Sequence, residues 1–262
     1  MPEKLVAIAP FLRSCPQVVT LGVRASMGDY SPGQRRMLLS AGRVLFPTPR
    51  FVRILQAAGK KTFPSAFAYS VQKSRLIQEV LFQFLNCPHP LTRIYYGRQK
   101  SSILENFSFP LRAMGPRMQD GARLVSNSGD LRDVSRMCNP LIIQESLDYD
   151  ERFRLVFVNY ECAGVIRTVP GEMQNELDCR AVSRSSRENR GIAQECLDRE
   201  IVSWLEKMLK SVQIDDIAVE IGVARHGWHL IELTRPPVSW PAPGGVTGRF
   251  RLILRLIESK KF

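Results

Sequence analysis

Two apolar runs near the C-terminal end each carry one carboxylate. They read Ile217-Ala-Val-Glu220-Ile221 and His229-Leu-Ile-Glu232-Leu-Thr234-Arg-Pro-Pro237, joined by Ala224-Arg-His-Gly227. Apolar alternation on either side of a Gly-containing connection predicts a β-hairpin, and an acid on each strand then sets Glu220 close to Glu232. Adjacent carboxylates repel unless something positive lies between them. A hard divalent cation such as Mg²⁺ meets that need, held by one or two carboxylates together with the phosphates of a bound nucleotide. A hairpin with one solvent-facing Glu per strand is the plainer alternative.

The remainder of the chain must position such a pair. Its 262 residues allow a sizeable core and more than one lobe, and 44% hydrophobic with 24% charged residues is the balance of a soluble globular protein. No apolar run approaches bilayer-spanning length, and Met1-Pro-Glu-Lys4 opens without the apolar stretch of a signal peptide, so a cytoplasmic protein with no membrane partner is expected. Cys15, Cys87, Cys138, Cys162, Cys179 and Cys196 form no C-x-x-C pair, and His89, His226 and His229 are not spaced as zinc ligands with them. Reduced thiols are expected.

The net charge is +12. Arginine concentrates at Arg35, Arg36, Arg43, Arg50 and Arg53 and again, four times, between Arg180 and Arg190. Neither block is interleaved with the aromatics of a single-strand stacking platform. The charge therefore points to an anionic small molecule or an acidic polypeptide before nucleic acid.

Short β-like runs at Val18–Val23 and Arg43–Phe46 and a helical spacing over Phe51–Ala58 outline a small N-terminal α/β lobe, residues 1–65. Ser70–Leu85 predicts one amphipathic helix with Leu76, Ile77, Val80, Leu81 and Phe84 on its buried face, stopped by Pro88 and Pro90. Strands are expected at Leu91–Tyr96, Phe109–Met114 and Ala122–Val125, with helices at Arg98–Glu105 and Ser128–Met137. The run Leu141–Gln144, an antiparallel pair at Arg154–Asn159 and Glu161–Val169, a helix over Ile192–Leu209 and the acidic hairpin complete the core. Hairpins among alternating elements favour α+β layering over a doubly wound sheet.

The order of these residues resembles the ATP-grasp superfamily, and within it the RimK-like carboxylate-amine ligases, from Phe46 to Pro237. Ala68-Tyr-Ser-Val-Gln-Lys73, an apolar helix and then Pro88-His-Pro-Leu-Thr92 are similar to that family's Asp-Lys, helix, Pro-x-Pro-x-Thr run. The resemblance implies two α+β lobes gripping a nucleotide, residues 66–140 with the phosphate loop and 141–240 with the metal site, followed by a tail over 241–262. It implies ATP and Mg as cofactors. Lys73 would bind nucleotide; Gln144, Glu145 and Leu147 of the inter-lobe linker would line the adenine site, and Asp148 or Asp150 would reach the ribose. Glu220, Glu232 and Thr234 stand where the family has the Asp, Glu and Asn that hold magnesium. Arg154 and Arg167 match arginines that would hold the acceptor carboxylate or its acylphosphate, and Asn189 resembles an Asn near the substrate.

The departures fall on the phosphate loop. The family's second lysine follows Phe-Pro by four positions, where this chain has Met114, and Pro116-Arg-Met-Gln-Asp-Gly121 keeps few of the expected glycines. Arg112 and Arg117 are close enough in sequence to replace the missing charge. The implied reaction is ATP-dependent joining of a carboxylate to an amine, with an acidic peptide or protein as one candidate acceptor and a homodimer as the commonest closed assembly. A degenerate ATP-grasp domain that binds nucleotide or a partner without catalysis is the alternative, and a basic nucleic-acid module the third.

Overall fold

The computed structural model describes residues 5–168, 197–236 and 248–262. Three sheets carry the described architecture. The first is parallel, with strands β1 (Leu5–Ala7), β2 (Val18–Thr20), β3 (Arg43–Leu45) and β4 (Lys61–Phe63) in the order β2-β1-β3-β4. Helices α1 (Pro32–Ser40) and α2 (Pro49–Ala57) alternate with its strands, as parallel connections require. Each starts with Pro at its first position, and the Ser31 and Thr48 hydroxyls accept backbone N–H groups of the first turn. Neither β1, β4 nor α1 is foreseen from the sequence: strands of three residues leave almost no periodic signal, and α1 buries only Leu38 of its nine residues, so it shows no apolar stripe.

The second sheet is antiparallel, with β5 (Thr92–Tyr95), β6 (Leu111–Met114), β7 (Ala122–Val125) and β8 (Leu141–Glu145) in the order β5-β8-β6-β7. Leu111, Ala113, Leu141 and Ile143 turn to a core shared with Ile103 of the short helix α5 (Ile103–Asn106) and with Leu131 and Val134 of α6 (Ser128–Met137). Alternation leaves Arg112, Met114, Ile142 and Gln144 together on the other face.

The third sheet joins β9 (Glu151–Val158), β10 (Glu161–Thr168), β11 (Asp216–Ala224) and β12 (Gly227–Thr234) in the antiparallel order β10-β9-β11-β12. Phe153, Leu155, Phe157, Ile217, Val219, Leu230 and Leu233 pack against Leu205, Met208 and Leu209 of helix α7 (Arg199–Ser211). Val156, Val158 and Ala218 on the opposite face meet helix α8 (Gly248–Glu258) and Leu45, Phe46 and Phe63 of the N-terminal sheet. The segment 170–191, with its arginines and Asn189, lies outside the described residues, as does the start of the helix expected at Ile192.

The expected helix Ser70–Leu85 is two, α3 (Ala66–Val71) and α4 (Arg75–Phe84). Ser74 breaks it by pairing with Arg117 as an isolated bridge and capping α4 through Ile77 N–H. The buried face also differs from expectation. Arg75, Gln78, Glu79, Leu81 and Phe82 are buried, whereas Val80 is 54% and Phe84 82% exposed. A polar stripe turns inward because α4 lies along the outer edge of β12. The Gln78 amide donates to Leu233 O (2.6 Å) and accepts from Leu233 N (2.9 Å), acting as a missing strand partner, and Pro88 O accepts Leu230 N.

A buried knot ties the parts together at residues 213–216. Asp215 accepts the Ser65 N–H (2.8 Å), Ser65 Oγ donates to Gln213 O, Gln72 donates to Asp216 O, and Arg249 of α8 grips the Asp216 carboxylate with both Nε and Nη2.

Candidate functional site

The site lies between the second and third sheets. Glu220 on β11 and Glu232 on β12 are direct register partners, and Glu220 is also opposite Arg154 on β9. Direct partners in antiparallel strands share a face, so the two acids and Arg154 stand side by side. A bulge at Ile231 then shifts the register, pairing Ile221 with Leu230 and Gly222 with His229. It puts His229 on the same face as Glu232, three residues away, against the strict alternation read from sequence.

Each acid already has a cation. Arg154 donates to Glu220 through Nε at 2.9 Å and again through Nη2. Arg75, buried on α4, donates through Nε to Glu232 at 3.0 Å. Arg75 Nη1 also donates to the carbonyls of Arg117 (3.1 Å) and Gly121 (3.0 Å), so one guanidinium joins the acidic strand to the loop 115–121. That loop is further seated by Met118 N–H on Lys73 O and Leu76 N–H on Pro116 O. Gly115 is required there: a Cβ would fall 2.5 Å from Asp120, whose carboxylate accepts the Arg117 N–H.

Across the cleft, Arg112 donates to the Gln144 carbonyl (3.2 Å), and the Gln144 amide donates to Thr92 Oγ1 (3.1 Å). Burial pulls the Arg112 pKa down, and Arg152 pulls the same way while Glu232 opposes them. Burial raises the Glu232 carboxyl, with Arg75 working against it and Glu220 with it. Glu79, one helical turn from Arg75, is pushed up to about 7, chiefly by burial, and its Oε2 has no hydrogen-bond partner among the described residues. Tyr149 stacks flat against Gly222, where a Cβ would lie 2.4 Å from its ring, with Arg152 over the ring at 5.2 Å and the His229 ring 6.0 Å away.

The expected residues divide by place. Glu220, Glu232 and Arg154 come together, Thr234 shares their face by alternation, and Arg112 and Gln144 approach from the second sheet. Met114 is 5% exposed and sits on the Arg112 face, two residues along the strand. Glu145 is committed to Leu91, its N–H to Leu91 O and its carboxylate to Leu91 N–H. Of the expected residues, Glu145 alone lines an open pocket of about 750 Å³ beside the linker, with His89, Thr92 and Arg93. Leu147 is half-buried in the linker, and Asp150 donates its backbone N–H to Val223 O. Arg117 points its side chain outward, 69% exposed, toward Asp120. Arg167 is register partner of Phe153, hence on the opposite face from Arg154, and pairs with Glu151. Lys73 is exposed and lines a separate pocket with Arg24 and Arg50.

No protein-family model matches the chain, and no curated protein matches it in sequence. Solved structures do match. The RimK domain ATP-grasp protein of Sphaerobacter thermophilus superposes with a TM-score of 0.61 at 13% identity, over 88% of this chain and 90% of that one. The ATP-grasp ligase PsnB, complexed with a minimal precursor, gives 0.65 at 10% identity over 98% and 99%. N5-carboxyaminoimidazole ribonucleotide synthetase of Thermotoga maritima gives 0.61 at 12% identity over 98% and 76%.

The chain has the ATP-grasp fold. Within the ATP-grasp frame the residues that sequence reading overlooks are Arg75, Gln78, Glu79, Tyr149 and Arg152. The first three form an i, i+3, i+4 polar stripe beside an apolar one, a pattern that could have flagged them as inward-facing. Tyr149 and Arg152 carry no such signal. Among the described residues no cluster of His, Cys, Asp and Glu large enough to hold a metal by itself is present, and no helix is long and apolar enough to cross a membrane.

Proposed function

We propose that this chain is an ATP- and Mg²⁺-dependent ligase that joins a carboxylate to an amine through an acylphosphate. The observation that carries the reading is the register pairing of Glu220 with Glu232 on a sheet face that Arg75, Arg112 and Arg154 surround. The donors fit a hard cation: two carboxylates and, at Thr234, a hydroxyl. Because Arg75 and Arg154 cancel both acids, the group offers little attraction to a bare cation and more to a polyanion. Glu220, Glu232 and Thr234 would hold an Mg²⁺ supplied with the nucleotide, and the ion would contribute charge neutralisation at the phosphates.

The chain's own residues then do the positioning that phosphoryl transfer demands. Arg112 supplies the cation on the strand where Met114 cannot, and its burial strengthens its pull on developing charge. Arg154 would hold the acceptor carboxylate, and Leu147, in the linker beyond the paired strand β8, would offer its backbone to adenine. An acidic peptide acceptor accords with the net charge of +12 and with the precursor peptide found in PsnB.

The test is calorimetric titration of MgATP into the protein, followed by assay for ADP with acid and amine pairs. Absence of both heat and a rise in melting temperature would remove the reading, since a ligand of the native state must stabilise it. A Glu232→Gln variant that bound ATP and metal like its parent would remove the metal assignment. A second reading, nucleotide binding without catalysis, is favoured by buried Met114 and by the arginine already seated on each acid. Saturable MgATP binding with no ADP formed would select it.

A further inference from the structure

We propose that a second pocket, between the N-terminal sheet and the start of α4, binds a small phosphate monoester. The pocket measures about 270 Å³ and is lined by Arg24, Ala25, Thr48, Pro49, Arg50 and Lys73. Three stretches distant in sequence each deliver one cation: the loop after β2, the first turn of α2 and the turn between α3 and α4. No Asp or Glu lines the space, and the ion pairs of the described residues involve none of Arg24, Arg50 or Lys73. Like charges gathered on one small volume repel, and an anion between them reverses the sign of that interaction.

The lining selects among anions. A phosphate monoester carries about −1.5 to −2 charges at neutral pH and offers three acceptor oxygens, matching three donors where a single carboxylate would leave charge unmet. The positive end of α2, capped by Thr48, adds in the same direction. A volume just below the roughly 300–1,000 Å³ of drug-sized sites suits a small phosphoester and is too small to enclose a whole nucleotide. No aromatic lines it, so nothing is provided for stacking a base. Arg75, Arg112, Arg154, Glu220 and Glu232 are absent from its walls, and among the described residues Lys73 bonds the cleft loop through its carbonyl, which accepts Met118 N–H at 3.2 Å. The proposal therefore stands independently of the ligase reading.

Calorimetric titration at fixed ionic strength, without nucleotide, with inorganic phosphate, glycerol 3-phosphate and glutarate tests it. Phosphate and glycerol 3-phosphate should each bind at one saturable site. In an Arg24→Ala/Arg50→Ala variant, whose changes fall on exposed side chains and should leave the melting temperature unaltered, affinity should drop at least about tenfold. Absence of saturable heat, equal affinity in the variant, or glutarate binding as tightly as glycerol 3-phosphate would each overturn the proposal. So would full displacement by MgATP, which would assign these cations to the nucleotide's own phosphates. Phosphate binding that persists where MgATP fails to bind would sink the ligase reading and leave this pocket standing.

Discussion

Arg75 does at one position what the sequence distributes over several. It neutralises Glu232 and satisfies two carbonyls of the loop 115–121 from a buried site. Arg75→Met should cost at least about 2 kcal/mol in urea denaturation, because it strips a half-buried carboxylate of its cation and leaves two carbonyls unpaired. Adding Glu232→Gln to Arg75→Met should recover part of that loss, a coupling that a double-mutant cycle measures. Gly222→Ala should cost about 1–3 kcal/mol, since the new methyl meets the Tyr149 ring and displaces it toward Arg152. Sequence reading singles out Glu220 and Glu232 because carboxylates in apolar runs are conspicuous, and Arg154 through the family resemblance. It passes over Arg75 because a charged residue at a helix start is ordinarily solvated, and only the third dimension shows what lies across from it.

At the scale of elements, the acidic hairpin is legible and the helix beside it is misread. Apolar spacing along 70–85 predicts the buried face of α4 from hydrophobicity alone, yet Val80 and Phe84 face outward and Gln78 inward. An edge strand needs hydrogen-bond partners more than it needs apolar cover, and the Gln78 amide supplies both a donor and an acceptor to Leu233. Gln78→Leu should therefore destabilise by at least about 2 kcal/mol despite adding apolar surface, because it leaves the buried N–H and C=O of Leu233 unsatisfied. Hydrogen exchange at Leu233 should quicken in the same variant, and unchanged protection would refute the clamp. The bulge at Ile231 is equally hidden from pattern reading, since one extra residue breaks the two-residue period at the point where the period is being used as evidence.

For the whole molecule, the mixed layering and the order of most larger elements are readable in advance because strands and helices with an apolar face leave periodic traces. In the N-terminal sheet only β2 and β3 are read in advance, and β1, β4 and helix α1 are not. Stability should also carry a pH signature from the knot at residues 213–216. Burial pushes the Asp215 carboxyl up to about 7 from 3.8, and Glu79 up to about 7 from 4.5. A folded-state value above the unfolded one means stability fully present below a pH of about 4 and lost as pH rises from there through about 7, on the order of 4 kcal/mol for Asp215. Asp215→Asn should flatten that slope and leave the variant more stable than its parent at alkaline pH, as urea denaturation across a pH series would record. The same knot bears on motion. Ser65, Gln72 and Arg249 fasten the N-terminal sheet, α3 and α8 to the turn that starts β11, so these parts share one frame. The second sheet meets that frame through Arg75, the seated loop 115–121 and the linker after β8, where Asp150 N–H bonds Val223 O. If the cleft takes a nucleotide as proposed, its opening would be a swing of one jaw, with residues 145–150 as its pivot and Arg75 as its latch.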